Sequence, residues 1–266
     1  MKLAISDIAW DKTKDEMMYQ IIHDMGYESL EIAPTRIFPE NPYDKINEAI
    51  QWSGDLKEKY DISVCSMQSI WYGRNEMIFG NQKERRFLVE YTKKAVDFAE
   101  AIGAKNLVFG CPRNRVINTR NDVNIAIDFF SQISEYAFEH GTVISLEANP
   151  PIYNTNFINT TVEAITFIKN INHPGLRLNL DMGTMIYNNE SVDIIMDDMN
   201  LVSHIHISEP NLKPIIYNEM CKTIINKAKA NHYDGYISIE MGSGNSILDI
   251  EKIMITLKTI YSGITI

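Results

Sequence analysis

Residues 88–109 read LVEYTKKAVDFAEAIGAKNLVF, and this stretch shows the pattern that decides the fold. Apolar side chains recur every three or four residues from Leu88 to Ile102, which predicts an amphipathic helix that ends at Gly103. The apolar run Leu107–Phe109 then predicts a short buried strand. The stretch therefore joins one helix to one strand.

The same alternation runs along the rest of the chain. It predicts eight strands, at Leu3–Ser6, Leu30–Ala33, Ile62–Ser66, Leu107–Phe109, Val143–Glu147, Leu176–Asp181, Val202–Ser208 and Tyr236–Glu240. It predicts helices between and after them, at Lys14–Met25, Ile46–Tyr60, Leu88–Ile102, Val123–Glu139, Thr161–Ile171, Ser191–Met199, Tyr217–Ala230 and Ser246–Tyr261. Strands that alternate with helices form parallel sheets, because a parallel pair needs a crossover connection.

Eight such units in about 250 residues are the size of a barrel. A doubly wound open sheet is the alternative, but it usually carries a glycine-rich turn after its first strand, and the first glycine here is Gly26. The chain has no Pro-, Gly- or Ser-rich linker. We therefore predict an α/β fold with one domain over residues 1–266, a single (β/α)8 TIM barrel.

Composition excludes several classes of protein. The chain has 266 residues, with 25 Lys and Arg against 35 Asp and Glu, and its formal net charge of −10 disfavours nucleic acid or an anionic membrane as partner. No uncharged apolar run approaches the ~20 residues of a membrane span, and Asp7 interrupts any signal-peptide core. Three scattered cysteines, Cys65, Cys111 and Cys221, predict buried thiols in a reducing compartment. We expect a cytoplasmic protein.

The predicted strands five to eight end in residues that bind metals. They read Ile144-Ser145-Leu146-Glu147, Leu178-Asn179-Leu180-Asp181, His204-Ile205-His206 and Ile237-Ser238-Ile239-Glu240. Because side chains alternate between the two faces of a strand, the polar residues share the face that points into the barrel. Active sites of such barrels lie at the carboxyl ends of the strands. Three carboxylates and one imidazole there predict one divalent ion, Mn²⁺, Mg²⁺, Co²⁺ or Zn²⁺. Capping of nearby amides is the alternative for each acid.

These strand ends resemble those of the xylose-isomerase-like barrels, which include sugar and sugar-phosphate isomerases and epimerases. Leu146-Glu147-Ala148-Asn149-Pro150 is similar to the strand-five motif of that family, and Asn179–Thr184 resembles its strand-six motif. His204–Glu209 resembles the strand-seven signature, and Glu240 matches the strand-eight glutamate. The resemblance implies the metal ligands Glu147, Asp181, His206 and Glu240. It also implies that Glu147 and Glu240 exchange a proton with the substrate.

Other positions depart from the family. Where related ketose epimerases have a histidine, a glutamate and an arginine that contact the sugar, this chain has Thr184, Tyr153 and Leu212, with Lys213 beside the last. We therefore expect common free ketoses to be poor substrates. The family's DNA-repair endonucleases need further histidines after strands three and four, which here end in Cys65-Ser66-Met67-Gln68 and Phe109-Gly110-Cys111.

Further candidates for contact with the substrate follow other strands. They are Glu31 on strand two, Trp71 after strand three, Arg113 and Arg115 after strand four, and Glu209 and Lys213 after strand seven. A salt-bridged acid, a packed aromatic ring and a solvated loop are the corresponding structural alternatives. His204 is expected one layer beneath the metal.

These observations predict a divalent-metal-dependent isomerase or epimerase of a sugar or sugar phosphate. Proton transfer by Glu147 and Glu240 through a metal-stabilised enediolate is the expected chemistry. A sugar-type dehydratase on the same site and a non-catalytic sugar-binding barrel are the alternatives. The expected partner is a small-molecule sugar, and the chain could form a homo-oligomer.

Overall fold

Eight parallel strands close into a barrel in the computed structural model, which describes residues 1–119 and 122–263. Each strand pairs with the next one along the chain, and β8 pairs with β1. The strands are β1 (Lys2–Ser6), β2 (Ser29–Ile32), β3 (Ser63–Met67), β4 (Asn106–Phe109), β5 (Val143–Glu147), β6 (Leu176–Asp181), β7 (Val202–Ile207) and β8 (Tyr236–Ile239). All eight predicted strands are present, each end within one residue of the prediction, and the (β/α)8 barrel is confirmed.

The helices lie around the barrel and connect its strands. They are α1 (Asp15–Asp24), α2 (Pro34–Ile37), α3 (Ile46–Tyr60), α4 (Gln82–Ile102), α5 (Asp122–Glu139), α6 (Thr161–Ile171), α7 (Met182–Asn188), α8 (Glu219–Ala230) and α9 (Ile247–Ser262). The side chain of Asn81 accepts hydrogen bonds from the first backbone amides of α4, so this helix begins before Leu88, where its apolar stripe starts. At its other end Gly103 has a φ of 78°, as the predicted cap requires.

The connection between β6 and β7 differs from the prediction. The predicted helix Ser191–Met199 is wrong, because this segment forms only short 3-10 turns, the first at Val192–Ile195. The α-helix of the connection is α7, which begins directly after β6. Asp181 causes this early start, since its Oδ1 accepts a 2.6 Å hydrogen bond from the Thr184 amide. The last residue of β6 is therefore also the cap of the next helix.

Two bulges interrupt the strand register, and one of them adds a polar group to the barrel interior. The register shifts between β2 and β3 at Cys65, and between β6 and β7 at Ser203. Ser203 is turned inward by its bulge, and its Oγ donates a 2.8 Å hydrogen bond to Asn106 Oδ1 and lies 3.2 Å from Ser145 Oγ. Strict alternation along β7 would have placed this hydroxyl on the outer face.

The apolar face of each strand packs against the helices. Ile144, Leu146, Leu178 and Leu180 are at most 1% exposed, while the neighbouring polar residues point inward. Cys65, Cys111 and Cys221 are free thiols, and only Cys111 is partly exposed. In the part of the chain that the structure describes, every helix is too short or too polar to span a bilayer.

Candidate active site

Four strands bring one imidazole and three carboxylates together at the barrel mouth. Glu147 and Asp181 are the last residues of β5 and β6, His206 is the last but one of β7, and their ligand atoms all lie within 4.8 Å of one another. Glu240 follows β8, and its Oε2 lies 3.3 Å from His206 Nδ1. Glu147 Oε2 is at the same distance, 3.3 Å, from that nitrogen. The structure thus places the four side chains proposed as metal ligands around one point.

Glu31 fixes the orientation of His206 from below. Its Oε1 lies 3.0 Å from His206 Nε2, and its Oε2 lies 3.0 Å from His204 Nε2. Gln68 makes a third contact with this carboxylate, since its Nε2 donates a 3.3 Å hydrogen bond to Glu31 Oε1. Glu31 is fully buried. It therefore does not line the mouth as expected of a substrate contact, and instead turns His206 so that Nδ1 faces the three acids.

Amide side chains hold the carboxylate of Glu147. Asn149 donates a 2.6 Å hydrogen bond to Oε1, and Asn179 donates a 2.7 Å hydrogen bond to Oε2. Arg115 supports this arrangement, since its Nη2 lies 2.7 Å from the Glu147 carbonyl and 2.5 Å from Asn149 Oδ1. Arg115 is fully buried. It therefore does not contact the substrate from an exposed loop, which was one of the roles expected from the sequence. Its side chain orients β5 at its carboxyl end.

Both oxygens of Asp181 also have defined partners. Oδ1 accepts the hydrogen bond of the Thr184 amide that caps α7, and Oδ2 accepts a 2.5 Å hydrogen bond from Ser208 Oγ. The Ser208 hydroxyl in turn accepts a 2.9 Å bond from the Gly183 amide. Asp181 is therefore held in one orientation by neighbours on β6, α7 and the end of β7.

Burial of so many acids has an electrostatic cost. It raises the pKa of Glu240 to about 7 and that of Asp181 to about 6, with the charge of Glu147 adding to both shifts. Burial also acts on Glu147, but the hydrogen bond and charge of His206 outweigh it and leave the pKa of Glu147 lowered. Burial opposes the charge on His206, yet Glu240 and Glu31 hold its pKa well above the ordinary value. One imidazolium is left to balance several carboxylates.

A cavity of about 190 Å³ opens above these residues. Glu147, Asp181 and Glu240 form its floor, and Tyr153, Glu209 and Leu212 are among its other lining residues. Tyr153 joins two of the surrounding loops, because its hydroxyl accepts a 2.8 Å hydrogen bond from the Asn211 amide. Within residues 1–119 and 122–263, no lysine or arginine lines this cavity. Its lining carries acids without a basic side chain.

The remaining substrate candidates separate into three groups. Glu209 lines the cavity, as expected of a substrate contact, and burial raises its pKa. Arg113 and Lys213 are exposed and lie outside the cavity lining. Trp71 is 2% exposed, its indole nitrogen donates a 2.9 Å hydrogen bond to Thr92 Oγ1, and its ring packs edge-on against Phe109. These contacts are those of the packed aromatic ring that was the structural alternative, and Trp71 also borders a cavity between the loops after β3 and β4.

Two supporting residues were missed in the sequence. Asn149 lies two residues after Glu147, so the alternation that placed Glu147 at the mouth also indicates this amide. Gln68 follows β3 and contacts both Ser6 Oγ, at 2.6 Å, and Glu31. Its role depends on the bulge at Cys65, for which the sequence carries no signal.

Comparison with known proteins identifies relatives by fold. The 3-keto-D-glucoside 4-epimerase YcjR from E. coli has a TM-score of 0.77 at 17% identity, with 97% of this chain and 99% of that chain covered. D-psicose 3-epimerase from Clostridium cellulolyticum H10, with D-tagatose, has a TM-score of 0.78 at 15% identity, covering 99% of each chain. The IOLI protein with a bound zinc atom has a TM-score of 0.75 at 15% identity, covering 100% of this chain and 99% of that one. At such identities the similarity establishes the shared fold.

Sequence comparison gives the family. No curated protein has significant sequence similarity to this chain. The profile of the xylose isomerase-like TIM barrels, however, matches residues 19–260, which include all four residues at the centre of the mouth. The chain therefore belongs to the xylose isomerase-like TIM barrel family.

Proposed function

We propose that this protein is a divalent-metal-dependent isomerase or epimerase of a sugar or sugar derivative. The convergence of Glu147, Asp181 and Glu240 on the imidazole of His206, at the floor of a cavity, is the observation that carries the proposal. The names of the relatives support the reaction class, since YcjR and the D-psicose enzyme are described as epimerases. The metal dependence and the substrate are our inference for this chain.

The residues at the mouth fit a divalent cation. Three carboxylates and a single imidazole are a ligand set suited to Mn²⁺, Mg²⁺, Co²⁺ or Zn²⁺. The contact of Glu31 with His206 Nε2 also fits, because metal-binding histidines usually give their second nitrogen to a carboxylate. Glu147, Asp181, His206 and Glu240 would hold the ion, which when bound would act as a Lewis acid toward a substrate carbonyl.

Glu147 and Glu240 are the residues that we assign to proton transfer. Both border the cavity, and they come from β5 and the end of β8, on different sides of His206. One carboxylate can remove a proton from the carbon beside a carbonyl while the other returns a proton to the neighbouring atom or the opposite face. Asp181 is assigned to metal binding alone, and hydrogen bonds from Thr184 and Ser208 hold its carboxylate in one orientation for that role.

Exchange of a carbon-bound proton with solvent tests this function. Protein loaded with Mn²⁺ is incubated in D₂O with a panel of aldoses, ketoses and 3-keto sugars, the Mn²⁺ is removed with chelator, and deuterium is measured by NMR and mass spectrometry. We expect at least one sugar to gain deuterium beside its carbonyl. Glu240→Gln should abolish this exchange, because an amide cannot take up the proton. Glu219→Gln, on the exposed side of α8, is the matched control and should exchange normally.

Absence of deuterium from every sugar would contradict the proposed function. A product with a new enone absorbance would instead identify a dehydratase. Binding of a sugar without exchange would identify a non-catalytic barrel.

A further inference from the structure

A second cavity adjoins the one above the four central residues. It has a volume of about 710 Å³ and lies between the loops that follow β3 and β4. The two cavities share three lining residues, Ser69, Cys111 and Pro112. We call the smaller cavity the chamber and the larger one the groove. The two cavities therefore lie next to each other at the barrel mouth.

The backbone turns sharply where the two cavities meet. Ser69 and Cys111 have φ angles of 52° and 44°, in the left-handed region that residues with a side chain seldom occupy. Hydrogen bonds hold both turns: the Tyr72 amide donates to the Ser69 carbonyl at 2.9 Å, and the Asn114 amide donates to the Cys111 carbonyl at 3.2 Å. Strained residues of this kind cluster at sites of function, where the surrounding structure maintains them. The hydrogen bonds within both turns thus fix the backbone where chamber and groove meet.

The linings of the two cavities differ in chemistry. Four carboxylates line the chamber, whereas Tyr72, Met77, Arg74 and Arg113 are among the residues that line the groove. Tyr72 is 71% exposed although its backbone is fixed by the turn at Ser69. A tyrosine in this position offers an apolar face and a polar tip to a bound ring. The groove is therefore suited to a ring that carries hydroxyl groups or an aromatic system.

The volumes indicate how a substrate would divide between the cavities. Pockets for drug-sized molecules usually measure about 300–1,000 Å³, so the chamber, at about 190 Å³, fits a single sugar unit. The groove, at about 710 Å³, is within the usual range and much larger than a phosphate group needs. Two arginines line the groove: Arg113 is exposed, so solvent screens its charge, and the Arg74 guanidinium lies 5.2 Å from the centroid of the Tyr91 ring.

We propose that the substrate is a glycoside with a ketone on its reacting sugar; this sugar occupies the chamber, and the appended uncharged ring lies on Tyr72 in the groove. This inference rests on the proposed function and adds the substrate class to it. It also accounts for Tyr153 and Leu212 at the mouth, where related ketose epimerases have polar side chains that bind a free ketose. A free sugar or a sugar phosphate would leave most of the groove empty.

Matched ligands test the proposal. Binding of phenyl β-D-glycosides of glucose, galactose, mannose and allose is measured by calorimetry on Mg²⁺-loaded protein, beside the free sugars and their 6-phosphates. We expect at least one phenyl glycoside to bind tenfold or more tightly than its free sugar. Tyr72→Ala should remove most of that advantage and leave the affinity for the free sugar unchanged. Phe138→Ala, which removes an exposed aromatic ring from α5, is the control and should keep the advantage.

Several results would overturn the proposal. These are equal affinity for glycoside and free sugar, tightest binding of a 6-phosphate, an undiminished advantage in Tyr72→Ala, or no binding by any member of the panel. Glu240→Gln separates this inference from the proposed function, because it should lose proton exchange and still prefer the glycoside. A glycoside preference without exchange in the wild type would refute the reaction alone. Exchange on a free sugar without a glycoside preference would refute the groove alone.

Discussion

Asp7, directly after β1, is a buried acid whose negative charge has no close basic partner of its own among the residues that the structure describes. Its side chain is fully buried, and Oδ1 accepts a 2.9 Å hydrogen bond from the Ala33 amide. Arg36 Nη1 lies 3.6 Å from Oδ2, but the same guanidinium pairs more closely with Asp15, at 2.5 Å. Burial therefore outweighs the attraction of Arg36 and raises the pKa of Asp7 from 3.8 to about 8. Folded protein keeps Asp7 protonated at neutral pH.

This shift predicts how stability depends on pH. Because the pKa of Asp7 is higher in the folded state, its contribution to the free energy of unfolding is complete below about pH 4 and is lost as the pH rises toward 8. The loss approaches ~1.4 kcal/mol per pH unit. Asp7→Asn, which stays neutral, should make the decline of the free energy of unfolding in urea across that range shallower than in the wild type, where Asp181 and Glu240 also contribute. The exposed Asp24→Asn is the control, and a pH profile of Asp7→Asn parallel to the wild type would refute the assignment.

The four central residues could be predicted from sequence, but their supports could not. Glu147, Asp181 and His206 each lie two residues after another inward-facing polar residue, so alternation along the strand places them at the mouth. Glu31 belongs to the same cluster, although 175 residues separate it from His206. Only barrel closure and the bulge at Cys65 bring Glu31 and Gln68 beneath that histidine. The spacing of these residues along the chain gives no indication of the contacts that they make in the fold.

At the scale of the helices, two glycines give opposite expectations for the same substitution. Gly54 lies in the interior of α3, and Gly103 caps α4 with a φ of 78°. A Cβ at either position would meet no atom within 4 Å, so only the backbone decides the effect. Alanine favours helical backbone over glycine, but a side chain in the left-handed region is strained.

Gly54→Ala should therefore raise the free energy of unfolding by about 0.5–1 kcal/mol, and Gly103→Ala should lower it by about 1–2 kcal/mol. Each variant serves as the control for the other, and chemical denaturation measures both. A change of the same sign in the two variants would show that side-chain contacts, rather than backbone conformation, dominate at these sites.

The ends of helices and strands can be predicted where the periodic hydrophobic pattern extends over many residues, and they are ambiguous where the pattern is short. The strands and the long helices follow the sequence pattern closely because one face of each is buried. The helix expected at Ser191–Met199 fails because Asp181 starts α7 directly after β6, and the chain then needs only short turns to reach β7. The α-helix of this connection is therefore α7, which Asp181 caps, and the helix that hydrophobic periodicity predicted at Ser191–Met199 does not form.

On the scale of the whole molecule, closure of the barrel brings the charged residues of the site together. Residues from β2 and from β5 to the end of β8 meet around His206, in a chain whose net charge is −10. The carboxylates there are held by hydrogen bonds from Asn149, Asn179 and Ser208, so they cannot move apart to relieve their repulsion. A bound divalent cation would offset that repulsion, which is the central claim of the account.

The number of Mn²⁺ ions bound per chain tests this claim most directly. Chelator-treated and dialysed protein is titrated with Mn²⁺, and free Mn²⁺ is followed by electron paramagnetic resonance. We predict about one ion per chain for the wild type and for Asp128→Ala, which alters an exposed acid on α5. Asp181→Ala, checked for folding by circular dichroism, should bind at least ~10-fold more weakly, because it lacks a ligand. Failure of the wild type to bind Mn²⁺, or equal binding by Asp181→Ala, would contradict the account.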